Sequence, residues 1–130
     1  MSDPVEIIHR PAGPVARMVV TCLCADWCGT CRDYRGVLAA EAAHQPDALL
    51  AWVDIENDTD LLEDLDVETF PTLLVSSGDQ VLFYGPVLPG AEGLRRLLRA
   101  LQEQGQQAVP VDAGVMSLAA RLNSLIGVQS

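Results

Sequence analysis

The five residues Trp27-Cys28-Gly29-Thr30-Cys31 stand between two stretches of different periodicity. Before them, Met18 to Cys24 (MVVTCLC) is a short, nearly continuous apolar run, which predicts a strand covered on both faces. After them, Arg32 to Ala43 predicts a helix. A Cys-x-x-Cys pair at such a junction can close a small disulfide ring and open it again. Two intervening residues let both cysteines occupy the first turn of one helix. The helix N-terminus carries about half a positive charge and favours thiolate over thiol. A pair placed this way points to redox chemistry rather than to a zinc knuckle.

Further along, Leu49 to Ile55 is a second buried-strand run. Thr72 to Ser76 and Gln80 to Tyr84 flank the turn Ser77-Gly78-Asp79 and predict an antiparallel hairpin. Leu94, Leu97, Leu98 and Leu101 recur at helical spacing, with Arg95, Arg96 and Arg99 outside the stripe. Val5 to His9 predicts a first strand, followed by the breakers Pro11, Gly13 and Pro14. Strands alternating with helices and ending in a hairpin argue for an α/β sandwich.

Taken together, these segments resemble the thioredoxin family. Ala25 to Arg32 (ADWCGTCR) is similar to that family's active-site loop. Val67 to Val75 (VETFPTLLV) resembles the segment in which the family carries a cis-proline opposite the disulfide. Val53 to Asn57 with Leu61 to Leu65 resembles a central strand and short helix, Gly78 to Gly85 the closing hairpin, and Gly90 to Gln104 the last helix. The resemblance covers about residues 18–104. It implies a thioredoxin-like α/β fold, a central mixed sheet flanked by helices, in one domain over residues 1–130. Two departures are expected. The family's helix between the first strand and the active-site strand has few residues to form from, so it should be short or absent. An additional helix is expected over about residues 111–128, capped by Asp112, with an apolar stripe of Val115, Leu118, Ala119, Leu122, Leu125 and Ile126. That stripe either folds back onto the domain or makes a homodimer or partner contact.

The resemblance also implies chemical roles. Cys28 is the nucleophile and Cys31 the second, less accessible thiol, cycling between dithiol and disulfide as a protein disulfide reductase. Gly29 and Thr30 set the turn between them. Thr30 replaces a proline common at that place, and a somewhat more oxidising couple is expected. Trp27 shields the nucleophile and contacts substrate. Pro71 lies against the dithiol, the backbone of Phe70 pairs with the substrate chain, and Gly85 completes the contact surface. No bound cofactor or metal is implied. The substrates are disulfide-containing proteins, and the electron donor is a thioredoxin reductase.

At two places the family's pattern is broken. Cys22 stands where a buried aspartate is usual, and Trp52 where a lysine often neighbours it. Cys24 stands where tryptophan is usual. Strand alternation puts Cys22 and Cys24 on one face, toward the redox ring. They are either small core fillers or an auxiliary thiol pair acting as a sensor. A disulfide between the two within one strand is not expected. Other readings of the chain are an adaptor working through its C-terminal helix, and a metal module on the four cysteines.

The bulk numbers bound these readings. At 130 residues and 49% hydrophobic, the chain has enough material for one real core and is not disordered. Its net charge of −10 disfavours nucleic acid and anionic membrane. No apolar run reaches the roughly 18 residues of a membrane span. The start Met1-Ser-Asp-Pro lacks the pattern of a secretory leader, so the cytosol is the expected compartment. There a Cys-x-x-Cys is more often catalytic or metal-binding than structural. His9 and His44 fall in no ligand pattern.

Overall fold

Every residue of the strand Met18–Cys24 is buried, and alternation divides its side chains between two cores. Met18, Val20, Cys22 and Cys24 join one cluster, and Val19 and Leu23 join the other. The architecture follows from covering both faces of this strand. It is seen in a computed structural model that describes residues 5–11, 18–24, 29–54, 71–77, 80–87, 90–103, 109–111 and 113–126.

The strands are β1 (Val5–His9), β2 (Met18–Cys24), β3 (Ala48–Asp54), β4 (Thr72–Ser77) and β5 (Gln80–Pro86). The helices are α1 (Gly29–Glu41), α2 (Ala91–Glu103) and α3 (Ala113–Ile126), with a 3-10 turn at Ala42–His44. The sheet order is β1-β3-β2-β4-β5. β2 and β3 are parallel, joined through α1, while β4 lies antiparallel to β2 and β5 antiparallel to β4. β1 lies antiparallel to β3 at the edge. A parallel arrangement of β1 and β2 would need a crossover of about a dozen residues or more. Only residues 10–17 connect them, so the chain turns back instead. The predicted strands and the helices around α1, α2 and α3 are present, with ends shifted by a few residues. Residues 61–65, expected to form a short helix, lie outside the described residues, as do the turn residues Gly78 and Asp79 and the expected cap Asp112.

α1 and α2 cover the face that carries Cys22 and Cys24. Tyr34 and Leu38 of α1, and Leu94, Leu98 and Leu101 of α2, pack there with Leu50, Trp52, Leu73 and Val75. At its C-terminal end α1 is tied to α2 by polar groups. The buried Glu41 carboxylate accepts from Arg95 Nε at 3.3 Å and from Gln45 Nε2 at 3.1 Å, and Gln102 Nε2 donates to Gln45 Oε1 at 2.6 Å. A buried carboxylate persists only with such partners. Nearer the sheet edge, Arg35 pairs with Glu6 and lies 5.7 Å from the centre of the Trp52 ring. Both members of that ion pair are about half exposed, so its contribution is small.

The opposite face is covered by α3. Val115, Leu118, Ala119 and Leu122 pack on Val19, Leu23, Leu49, Val53, Leu74 and Val81. The described part of the C-terminal apolar stripe is thus consumed within its own domain. A homodimer through α3 would have to use the outer face, where Met116 stands exposed.

Leu118→Ala is expected to lower the unfolding free energy by about 2–5 kcal/mol, the range for deleting a buried leucine side chain. Urea denaturation checks it. A loss near zero would mean that α3 is an appendage rather than part of the core.

Candidate functional site

Three cysteine sulfurs meet where β2 ends and α1 begins. Cys24 is the last residue of β2, and Cys31 is the third of α1. They are joined by a disulfide, with Cα atoms 5.7 Å apart, within the ordinary range for that bond. Cys22, one pleat repeat earlier on the same face, is a free thiol. Its S–H donates to Cys24 Sγ at 3.6 Å. All three residues are fully buried, at 0% relative exposure.

This pairing differs from the expected Cys28–Cys31 bond. The physical reason lies in the pleat. Alternation aims Cys24 at the α1 face of the sheet, and the first turn of α1 brings Cys31 to meet it. Sequence alternation places Cys22 and Cys24 on the correct face but does not by itself pair Cys24 with Cys31. The usable signal is the same alternation carried one step further, to the last strand residue before the loop. Cys28 directly precedes Gly29, the exposed first residue of α1. Cys28 itself, Trp27 and Phe70 lie outside the described residues, as does the side chain of Thr30, whose backbone is in α1.

Pro71 and Gly85 come to the same end of the sheet. The pairing of Leu23 with Thr72 sets Pro71 at the level of Cys24. Pro71 is buried, and its carbonyl accepts from the Val87 N–H at 3.0 Å. Gly85 faces Leu73 across the β4–β5 pair and is half-buried. The expected cis bond between Phe70 and Pro71 involves a residue outside the described set.

Among the described residues, the surroundings of the sulfurs are apolar. Cys22 lies beside Trp52 in the parallel β2–β3 register, so a neutral pair occupies the place where the family usually has aspartate and lysine. Burial pushes the Cys22 thiol up to about 12 from an ordinary 9.0. The Tyr34 phenol is also raised, first by burial and then by the neighbouring Cys22 and Glu41 charges. Tyr34 Oη and Trp52 Nε1 are buried without a hydrogen-bond partner among the described residues. Each such group costs about 1–3 kcal/mol. His9 is occupied structurally, its Nδ1 lying 3.1 Å from the Ala48 carbonyl oxygen. No cluster of His, Cys, Asp and Glu suited to a metal ion occurs among the described residues. Nor is any described helix long and apolar enough to cross a membrane.

A mixed sheet with a cysteine in the first turn of the helix after its central strand, bonded to a second cysteine, defines a thiol–disulfide protein of thioredoxin-like fold. The sequence model of the thioredoxin family matches residues 12–102, well over half of the chain, and the chain belongs to that family. Solved thioredoxins share the fold. A mutant thioredoxin of Halobacterium salinarum is 26% identical with a TM-score of 0.56, covering 73% of this chain and 80% of its own. Fasciola hepatica thioredoxin is 22% identical with a TM-score of 0.59, covering 67% and 83%. Mitochondrial thioredoxin 3 of Saccharomyces cerevisiae is 19% identical with a TM-score of 0.58, covering 68% and 82%. A comparison with curated protein sequences returned no match. The fold and family support a thiol–disulfide oxidoreductase kind of function.

The buried thiol sets a dependence of stability on alkaline pH. Below pH 9 Cys22 is neutral in both folded and unfolded chains. Above it the unfolded chain releases the proton while the folded chain holds it to about pH 12. Stability from this group is therefore complete below pH 9 and is lost as pH rises toward 12. Cys22→Ala is expected to reduce the fall in unfolding free energy between pH 8 and pH 11 by roughly 2–3 kcal/mol, at about 1.36 kcal/mol for each pH unit above the ordinary thiol value. Urea titrations of both proteins at the two pH values measure it. Equal falls would assign the alkaline loss to other groups, Tyr34 first among them.

Proposed function

We propose that the protein is a protein disulfide reductase that cycles Cys28 and Cys31 between dithiol and disulfide. The observation that carries this reading is the position of Cys31. It lies in the first turn of the helix that begins directly after Cys28, and it is already one half of a disulfide. Family membership adds weight to it.

In the cycle, the Cys28 thiolate attacks one sulfur of a substrate disulfide. The other substrate sulfur leaves with the electron pair and takes a proton. Cys31 then attacks Cys28 Sγ, the remaining substrate thiolate leaves, and Cys28–Cys31 is the new disulfide. The substrate has gained two electrons and two protons, and the enzyme has lost them. A thioredoxin reductase, drawing on NADPH through its flavin, restores the dithiol. No bound cofactor is required, because the electrons travel as thiols. The rate depends jointly on thiolate fraction, nucleophilicity and leaving-group pKa.

Substrate contacts fall to Trp27, Phe70, Pro71 and Gly85, with Gly29 and Thr30 shaping the turn. The place of Pro71 at the level of Cys24 fits this assignment. So does Gly85, where packing does not demand glycine. A Cβ there would meet the Phe83 ring only at 3.6 Å, an ordinary contact. The bare backbone suits an approaching peptide. The proposed setting is the cytosol, with disulfide-containing proteins as substrates and neither nucleic acid nor membrane as partner.

Reduction of insulin disulfides, driven by thioredoxin reductase and NADPH, tests the reading. Cys28→Ser is expected to fall to the background rate. Cys31→Ser is expected to lose turnover while accumulating mixed disulfide with the substrate. Full activity in Cys28→Ser would overturn the proposal.

A further inference from the structure

We propose that Cys24 is a third redox-active residue, and that the oxidised protein exists as two disulfide isomers, an outer Cys28–Cys31 bond and an inner Cys24–Cys31 bond. The proposal rests on the reductase reading for the outer bond. The inner bond is the one present in the structure.

The exchange between them needs no external oxidant. In the inward direction the Cys24 thiolate attacks Cys31 Sγ. The Cys24–Cys31 bond forms, the Cys28–Cys31 bond breaks, and the electron pair leaves with the Cys28 sulfur, which takes a proton. The outward direction is the reverse, with Cys28 attacking and Cys24 leaving. One disulfide and one thiol are present on each side. Cys31 is the shared sulfur in both bonds, and only it need be held fixed. It is held by the first turn of α1, while Cys24 is held by the end of β2.

Cys22 fits this exchange as a positioning residue. Its S–H points at Cys24 Sγ from 3.6 Å. Cys24 is buried among apolar groups, and among the described residues a leaving thiolate there has little else to stabilise it. A hydrogen bond to the charged form favours that form, so an S–H donor at this place eases the departure of Cys24. Cys22 does not itself take over the disulfide. Bonding to Cys24 would require two neighbours on one face of a single extended strand to close up, which the strand geometry opposes.

The two isomers differ in access. Cys24 and Cys31 are both fully buried, so the inner bond is out of reach of a protein reductase or substrate thiol. Moving the disulfide inward stores the oxidising equivalent in the core and leaves Cys28 as a thiol without its resolving partner. Moving it outward returns the protein to the catalytic cycle. The chain thereby gains an oxidised resting state that turns over only through internal exchange.

The sequence supplies a clean assay. Cleavage before aspartate releases Asp3–Ala25, which holds Cys22 and Cys24, and Asp26–Arg32, which holds Cys28 and Cys31. The whole chain is oxidised with one equivalent of diamide, quenched in acid, blocked with N-ethylmaleimide, digested and weighed. The expected result is a disulfide-linked pair of these peptides with one maleimide on each. The link persists in Cys22→Ala and vanishes in Cys24→Ala. Release of Asp26–Arg32 with an internal disulfide, with two maleimides on Asp3–Ala25 at every reaction time, would overturn the inner bond while leaving the reductase reading intact. A link that vanishes in Cys22→Ala and persists in Cys24→Ala would also overturn it. Failure to form any disulfide, with four maleimides bound, would overturn both. Circular dichroism of each variant confirms that it is folded. Cys28→Ser gives an independent check, since it should still oxidise to the inner bond and lose two reactive thiols.

Discussion

The rest of the structure depends on one constraint, the burial of β2 on both faces. A strand enclosed on both sides has no polar face to orient it, so its two sets of side chains must each find a helix layer. The even set from Met18 to Cys24 is met by α1 and α2, and the odd pair Val19 and Leu23 by α3. Because α1 follows β2 after a short loop and the chain returns into β3 parallel to β2, the first turn of α1 must lie above the end of the even set. That places Cys31 over Cys24. The site is therefore a consequence of pleat and crossover together, not of the loop sequence alone.

The same constraint explains why a third helix is needed. The connection over residues 10–17 is too short to supply a helix and a crossover, so β1 pairs antiparallel at the edge. The odd face of β2, with Leu49, Val53 and Leu74 beside it, would then be open to water. α3 comes from the far end of the chain to cover it with Val115, Leu118, Ala119 and Leu122. Among the described residues, α3 is the helix that packs on that face.

Most of the fold was legible because it rests on periodicity. The apolar runs of β2 and β3 and the leucine stripe of α2 each carry their period in the residues themselves. The direction of β1 was not legible, since antiparallel pairing follows from a loop length weighed against sheet order, which no local window contains. The site was half legible. Alternation gave the shared face of Cys22 and Cys24, and the Cys-x-x-Cys spacing gave the first turn of α1. The bond between Cys24 and Cys31 joins a strand end to a helix start across the loop that separates them. It depends on the height of α1 above the sheet, which only packing fixes. The Cys-x-x-Cys motif and the family resemblance pointed to Cys28 as the partner, and neither contains the height of a helix above a strand end.

Replacing a buried carboxylate by the Cys22 thiol changes what governs the second sulfur of the site. An aspartate beside a lysine can carry a proton to and from a neighbouring thiol at neutral pH. Cys22 beside Trp52 cannot, because burial holds its thiol protonated up to about pH 12. What the thiol retains is its capacity to donate. It serves as a fixed S–H dipole directed at Cys24, in a pocket where two other polar atoms, Tyr34 Oη and Trp52 Nε1, stand without partners among the described residues. Surroundings so poor in charge among the described residues disfavour any step that leaves an anion behind. Exchange of Cys31 between Cys24 and Cys28 meets that cost when the charge stands on Cys24, and the Cys22 S–H is the donor placed to lessen it. Cys22 thus stands in the place of the acid and Trp52 in the place of the lysine, and what they leave beside Cys24 is an S–H donor rather than an acid–base pair.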